Sequence, residues 1–158
     1  MRRRLIALAA VAVVAAAVIV ISASGGGSKR TASAATHQAR ADIALRRSAL
    51  GSILADSRGR TLYLFEADKG AMSACDGACA NVWPPVTTTG KPHAGAGIAA
   101  AKLGTVKRGD GTTEVTYNGH PLYTYAGDTA AGQTSGQGLD DFGAEWYALS
   151  AAGDKIGD

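Results

Sequence analysis

The sequence predicts a mainly β protein with little helix, built from two related units about a pseudo-twofold axis. Three observations lead to this prediction. Short apolar runs alternate with glycine-containing turns, which is the pattern of a β-rich domain. Asn118-Gly119 separates two of these runs and suits a tight hairpin turn. A motif of tyrosine, any residue, an aromatic residue, two further residues and aspartate occurs at 63–68 and again 60 residues later at 123–128.

The start of the chain carries an export signal. Three arginines at positions 2–4 precede an uninterrupted apolar run over residues 5–21. A basic start followed by such a run is typical of exported proteins, and it is set apart from the folded domain. We expect residues 1–24 to be either a cleaved signal peptide or an apolar helix that stays in the membrane through residues 5–21. The protein is then either secreted or anchored at the outer face of the cytoplasmic membrane.

Residues 25–48 are predicted to be a linker, because they are rich in Gly, Ser, Ala and basic residues and bury little apolar surface. An alanine-rich piece at its end, residues 39–50, predicts a short helix. The β-rich domain is expected over residues 49–158, with repeats at about 50–101 and 102–158.

The distribution of charge argues against nucleic-acid binding. The net charge of the chain is +3, but residues 1–49 hold eight of the 16 Lys and Arg and one of the 13 Asp and Glu. Residues 50–158 therefore hold eight bases and twelve acids. Phosphate backbones are bound by clustered Lys and Arg, which this part of the chain lacks.

Three hairpins are predicted within the domain. The first joins two runs through an Asp-Ser-Arg-Gly turn, the second uses the Asn-Gly turn, and the third closes across Ala-Ala-Gly. Their strands are expected at 52–55 with 60–65, at 113–117 with 120–125, and at 146–150 with 154–157.

The repeated motif has two interpretations. In the first it is structural: alternate side chains of a strand share a face, and both faces of 62–65 are apolar, so the strand is covered on both sides. The aspartate then ends the strand by accepting turn N–H groups. The structural aromatic residues would be Phe65, Trp83, Tyr125 and Trp146.

In the second interpretation the polar groups of the motif bind a ligand. Buried phenol groups need hydrogen-bond partners, and a pseudo-twofold axis is a plausible place for a cleft. The binding residues would then meet at the interface of the repeats: Tyr63, Asp68, Tyr123 and Asp128.

Cys75 and Cys79 are the two cysteines of the chain. In an exported protein they are expected to form a disulfide. The alternative is a catalytic thiol or a metal pair, for which His93 and His120 are the histidines on offer in the domain; their spacing gives no metal motif. We predict neither a bound metal nor a cofactor.

The motif-bearing stretches together resemble a secreted repeat family of predicted bacterial lipoproteins with a Yx(F/W/Y)xxD motif. The stretches are GRTLYLFEAD, SACDGACANVWPP, VTYNGHPLYTYAGD, GQTSGQG and EWYALS. The resemblance implies two copies of the repeat in an exported, envelope-associated protein of uncharacterised activity. This chain has no cysteine after its apolar run, so a lipid anchor at that point is not expected.

The sequence therefore predicts an exported binding or interaction module of the cell envelope, with an unknown envelope ligand or protein as partner. No acid, base and nucleophile set can be assembled, which favours a non-catalytic protein. The alternative is an envelope redox, metal or haem protein that uses Cys75 and Cys79 or His93 and His120.

Overall fold

A computed structural model of the chain describes residues 40–157. The predicted export signal and residues 25–39 of the predicted linker lie outside these residues. The end of the predicted linker is a strand of the domain, Asp42–Ser48, so the predicted start of the domain at residue 49 is too late. The described part is mainly β, with one α-helix and one short 3-10 helix. In chain order the elements are β1 (Asp42–Ser48), β2 (Gly51–Asp56), β3 (Tyr63–Phe65), α1 (Gly77–Val82), β4 (His93–Ala94), the 3-10 helix (Ala100–Lys102), β5 (Leu103–Lys107), β6 (Thr113–Tyr117), β7 (His120–Pro121), β8 (Leu139–Asp141) and β9 (Ala144–Ala148).

The strands form three small sheets. Their orders are β2-β1-β4, β3-β9-β8 and β5-β6-β7. Neighbouring strands are antiparallel except β1 and β4, which are parallel. Sheets this small cannot bury both faces alone, so they pack on one another through shared core clusters.

The helix predicted over residues 39–50 is wrong, because most of this piece is strand β1. The strand pairs with β2 in a register that joins Ile43 to Asp56 and Ser48 to Gly51. Ile43 is fully buried and Leu45 packs beside it on the same core cluster. Alternation of these two residues places one face of β1 on the core, and this packing outweighs the intrinsic helix preference of alanine.

The hairpin around the Asn-Gly turn is confirmed, although its second strand, β7, covers His120–Pro121 and not the whole of the predicted 120–125. Asn118 and Gly119 have φ values of +51° and +85°, as a type I′ turn requires. β6 and β7 flank the turn, with Tyr117 opposite His120.

The other two hairpins are shorter than predicted. After the turn at 56–59, one bridge joins Ala55 to Thr61, and the regular partner of β3 is β9. The C-terminal hairpin is a single bridge between Leu149 and Lys155. The longer pairings are made with distant parts of the chain instead.

Backbone hydrogen bonds between the repeats follow a pseudo-twofold pattern. Tyr63 and Tyr123 exchange both of their N–H···O bonds, at 2.9 and 3.0 Å. Leu54 N–H of the first repeat donates to Leu149 O of the second. In the equivalent bond, Val115 N–H of the second repeat donates to Val86 O of the first. Since β3 of the first repeat pairs with β9 of the second along its length, one of the three sheets contains strands of both repeats.

The core lies on both sides of β3, as the alternation of its residues predicts. Leu62 and Leu64 enter an aliphatic cluster, while Tyr63 and Phe65 enter an aromatic cluster that also holds the two cysteines. Within residues 40–157, no helix is long and apolar enough to cross a membrane.

Candidate functional site

The four polar residues of the motif meet at the interface of the repeats, and they pair across it. The Tyr63 hydroxyl of the first repeat donates to Asp128 Oδ2 of the second at 2.6 Å. The Tyr123 hydroxyl of the second repeat donates to the Asp68 carboxylate of the first, 3.1 Å from Oδ2. The tyrosine of each repeat thus donates a hydrogen bond to the aspartate of the other repeat.

The Tyr63–Asp128 pair is enclosed. Tyr63 is fully buried and Asp128 is 6 % exposed. Backbone N–H groups complete the pair: Gly136 donates to the Tyr63 hydroxyl at 3.3 Å, and Ser135 donates to Asp128 Oδ1 at 2.8 Å. The turn after Asp128 therefore supplies the donors that a buried carboxylate needs.

The Tyr123–Asp68 pair belongs to a longer chain of hydrogen bonds. Arg108 donates through Nη1 to Ser73 Oγ, which lies 2.7 Å from the Tyr123 hydroxyl. Since Tyr123 donates to Asp68, all hydrogen bonds of this series point in one direction, from the guanidinium of Arg108 to the carboxylate of Asp68. Ala74 N–H donates to Asp68 Oδ1 at 2.7 Å and fixes the far end.

Glu114 holds the guanidinium of Arg108 at the other end of this chain. Arg108 Nη1 lies 2.7 Å from Glu114 Oε2, and Glu114 is fully buried. Arg108 also donates to the carbonyl of Cys75, which connects the disulfide loop to the residue that follows β5. The second oxygen of Glu114 has no hydrogen-bond partner among the described residues.

Burial dominates the electrostatics of the site. It raises the pKa of Asp68 to about 6, against the lowering effects of the Ala74 N–H, the Tyr123 hydroxyl and Arg108. Burial also raises the pKa of Tyr63 and of Tyr123 above the ordinary range of a phenol, and the neighbouring carboxylates add to this effect. Both hydroxyls therefore stay protonated and act as donors at neutral pH.

The aromatic residues form a stack that alternates between the repeats. Phe65 stacks on Trp146 with ring centroids 4.0 Å apart, Trp146 on Trp83 at 3.9 Å, and Trp83 on Tyr125 at 4.4 Å. Tyr63 meets Trp83 edge-on at 5.4 Å, and Tyr123 meets Trp146 in the same way at 5.1 Å. The two edge-on contacts have a geometry that aromatic pairs prefer, and each is the counterpart of the other in the two repeats.

The cysteines are joined in a disulfide with Cα atoms 5.2 Å apart. Cys79 lies in helix α1, and both cysteines pack in the aromatic cluster. Neither is available as a thiolate ligand while the bond is intact. His93 pairs with Asp42 on the surface at 3.1 Å, and across residues 40–157 no three His, Cys, Asp or Glu side chains are grouped to hold a metal.

Asp68 also reaches the surface, in a cleft of about 550 Å³. The cleft takes Leu64, Glu66 and Asp68 from the first repeat and His120 from the second, and Asp154 and Lys155 complete its wall. Glu66 and Lys155 form an ion pair at 2.8 Å. Three carboxylates thus face one ammonium group in a depression that both repeats build.

Sequence reasoning missed four residues that support the site. Asp141 accepts both indole N–H groups, through its side chain from Trp83 and through its carbonyl from Trp146. Ser73, Arg108 and Glu114 form the hydrogen-bond chain described above. Of these four residues, Glu114 is the one that the sequence could have indicated, because it is a charged residue within a predicted strand. Alternation along that strand, however, would place its side chain on the solvent-exposed face.

The fold and the site define a duplicated β unit whose two copies share one aromatic core. Comparison with protein families identifies this unit: a model described as a secreted repeat of unknown function matches residues 45–87 and again residues 104–150. The two matches cover more than half of the chain, so the protein belongs to this family of secreted repeats. The description supports the prediction that the protein is exported. Comparison with curated proteins and with solved structures gave no match.

Proposed function

We propose that the protein is a non-catalytic binding module of the cell envelope, and that the cleft beside Asp68 is its contact surface. The observation that carries this proposal is the crossing of the two Tyr–Asp pairs. Tyr63, Tyr123 and Asp128 are buried, and each forms a side-chain hydrogen bond to a residue of the other repeat. These three polar groups therefore stabilise the interface of the repeats. Asp68 is the motif residue that also lines a cleft.

The lining of the cleft favours a partner that brings amines or other hydrogen-bond donors. Glu66, Asp68 and Asp154 supply acceptors, whereas Lys155 is paired with Glu66. Leu64 and Phe65 also line the cleft, and both are nearly buried. The volume of the cleft lies in the range of binding sites, and its lining is mostly polar.

A rigid module suits display on a linker outside the membrane. The interface of the repeats is cross-bonded through backbone, side chains and the aromatic stack, so a partner in the cleft meets a preformed surface. Preformed surfaces lose less conformational entropy on binding. The membrane or wall association of the protein is part of this proposal.

Retention by lipid-free cell walls of the source organism tests the proposal. The purified chain is expected to co-sediment with the walls, and the double variant Glu66→Gln/Asp154→Asn is expected to lose most of this binding. The matched control is Asp76→Asn/Asp140→Asn, which makes the same charge change at two exposed carboxylates outside the cleft. Equal retention of both variants would place the contact surface elsewhere, and no retention of the wild type would contradict wall binding.

A further inference from the structure

Among residues 40–157, no strand pairs with the outer edge of β5. In the order β5-β6-β7, β6 is the neighbour of β5, and Thr105 lies opposite Val115. The N–H of Val115 donates to Val86 and its carbonyl accepts from Leu122, so both groups point away from β5. The N–H and C=O of Thr105 therefore point outward, because opposed residues in an antiparallel pair share one orientation.

A groove runs beside this edge. A cavity of about 440 Å³ lies between residues 103–105 of β5 and residues 89–92. A second cavity, of about 400 Å³, adjoins it at Thr89 and Thr113 and reaches Lys107 at the end of β5. Their walls carry threonine side chains together with Lys91 and Lys107. Among residues 40–157 no carboxylate lines either cavity, and the nearby carboxylate of Asp110 accepts the hydroxyl of Thr112. A strand added to β5 would direct alternate side chains toward this groove.

We propose that β5 binds an extended acidic peptide segment of a partner protein as an added strand. The main-chain groups of Thr105 supply hydrogen bonds of the kind that strand addition uses, and the ammonium groups of Lys91 and Lys107 select carboxylate side chains. This surface is separate from the cleft beside Asp68, and the two share no lining residue.

The positive charge of the groove favours an acidic peptide over two other possible occupants of the edge. The protein's own linker carries Lys29, Arg30 and Arg40 between residues 22 and 41 and no acidic residue, so it is repelled by the lysines of the groove. A second copy paired through Thr105 would bring to this edge its own Lys91 and Lys107 and no carboxylate from the lining of its groove, so it would add like charge.

Selection from a displayed library of random peptides of about eight residues tests this proposal on the full chain in mild detergent. The wild type is expected to enrich peptides with Asp or Glu at alternate positions. A synthetic copy of the most enriched peptide should bind roughly tenfold or more weakly to Thr105→Pro, which removes the outward N–H. Thr105→Val keeps that N–H and is the matched control, with affinity close to that of the wild type.

Lys107→Glu provides a second test that leaves the backbone unchanged. It is expected to weaken the binding of the acidic peptide and to reduce the dependence of the affinity on salt concentration. Enrichment of basic or apolar peptides, no enrichment, or equal affinity of Thr105→Pro and Thr105→Val would overturn the proposal. A dimer of the wild type that Thr105→Pro abolishes would also overturn it, because the edge would then belong to a second copy.

Discussion

Tyr63 and Tyr123 occupy equivalent places in the two repeats, yet their hydroxyl groups meet different surroundings. The partner of Tyr63 is the nearly buried Asp128, whereas the partner of Tyr123 is Asp68, which lines an open cleft. Water can replace a lost hydrogen bond at Asp68 more readily than at Asp128. The repeats are thus equivalent in backbone and unequal in the energetics of their side chains.

Replacing each tyrosine by phenylalanine measures this inequality. We expect Tyr63→Phe to lower the free energy of unfolding by about 2 to 3 kcal/mol, because it leaves a buried carboxylate oxygen without its partner. Tyr123→Phe should cost about 1 kcal/mol, because Asp68 is rehydrated. Urea denaturation of both variants gives the comparison, and a larger cost for Tyr123→Phe would contradict it.

Asp68 is predicted to make stability depend on pH. Its pKa rises from 3.8 to about 6 in the folded protein, so the folded state binds more protons than the unfolded state between these values. The stabilisation is fully present below pH 4 and is lost as the pH rises through 6, with a total of about 1 to 3 kcal/mol. We expect Asp68→Asn to gain stability relative to the wild type over this window.

The measurement is the difference in unfolding free energy between Asp68→Asn and the wild type at pH 4, 5, 6 and 7.5. Asp76→Asn, at an exposed position, is the control for the removal of one charge. A difference that stays constant with pH would show that the carboxylate of Asp68 ionises normally.

At the scale of elements, the hairpins show what local sequence can determine. The β6–β7 turn was predictable because Asn118 and Gly119 alone satisfy its two positive φ values. Strand β1 was not predictable in the same way, since its conformation depends on pairing with β2 and on burial of Ile43. Helix preference is a weak guide where tertiary packing opposes it.

Two glycines with nearly the same φ value allow the cost of backbone strain to be compared with the cost of a steric contact. Gly119 and Gly153 have φ values of +85° and +86°, but a Cβ at Gly119 meets open space, whereas one at Gly153 would lie 2.4 Å from Asn118 Cβ. We expect Gly119→Ala to cost about 1 to 2 kcal/mol from backbone strain. Gly153→Ala should cost about 1 to 3 kcal/mol more, because the hairpin must move. Thermal unfolding of both variants tests this, and equal costs would show that the contact relaxes freely.

At the scale of the whole molecule, the duplication was predictable but the exchange of partners was not. The spacing of the motif indicated that the tyrosines and aspartates meet at one interface. It could not show that Tyr63 pairs with Asp128 rather than with Asp68, because both arrangements have the same sequence pattern. Glu114 was hidden for a related reason: the outer face of its strand is covered by the other repeat, and alternation within one strand carries no such information.

The shared core predicts that neither repeat folds alone. Strand β3 has its ladder partner in the other half, and the aromatic stack alternates between the halves. Fragments 40–101 and 102–157 are each expected to give the circular dichroism spectrum of an unfolded chain. A cooperative thermal transition in either fragment would show that a repeat is independently stable.

The crossed pairing of the motif is tested most directly by double-mutant cycles on unfolding free energy. The cycles combine Tyr63→Phe with Asp128→Asn, Tyr123→Phe with Asp68→Asn, and, as the matched control, Tyr63→Phe with Asp68→Asn. We predict coupling energies of about 1 kcal/mol or more for the first two cycles and close to zero for the control. Coupling in the control cycle, together with none across the repeats, would contradict the exchange of partners on which the structure of the interface depends.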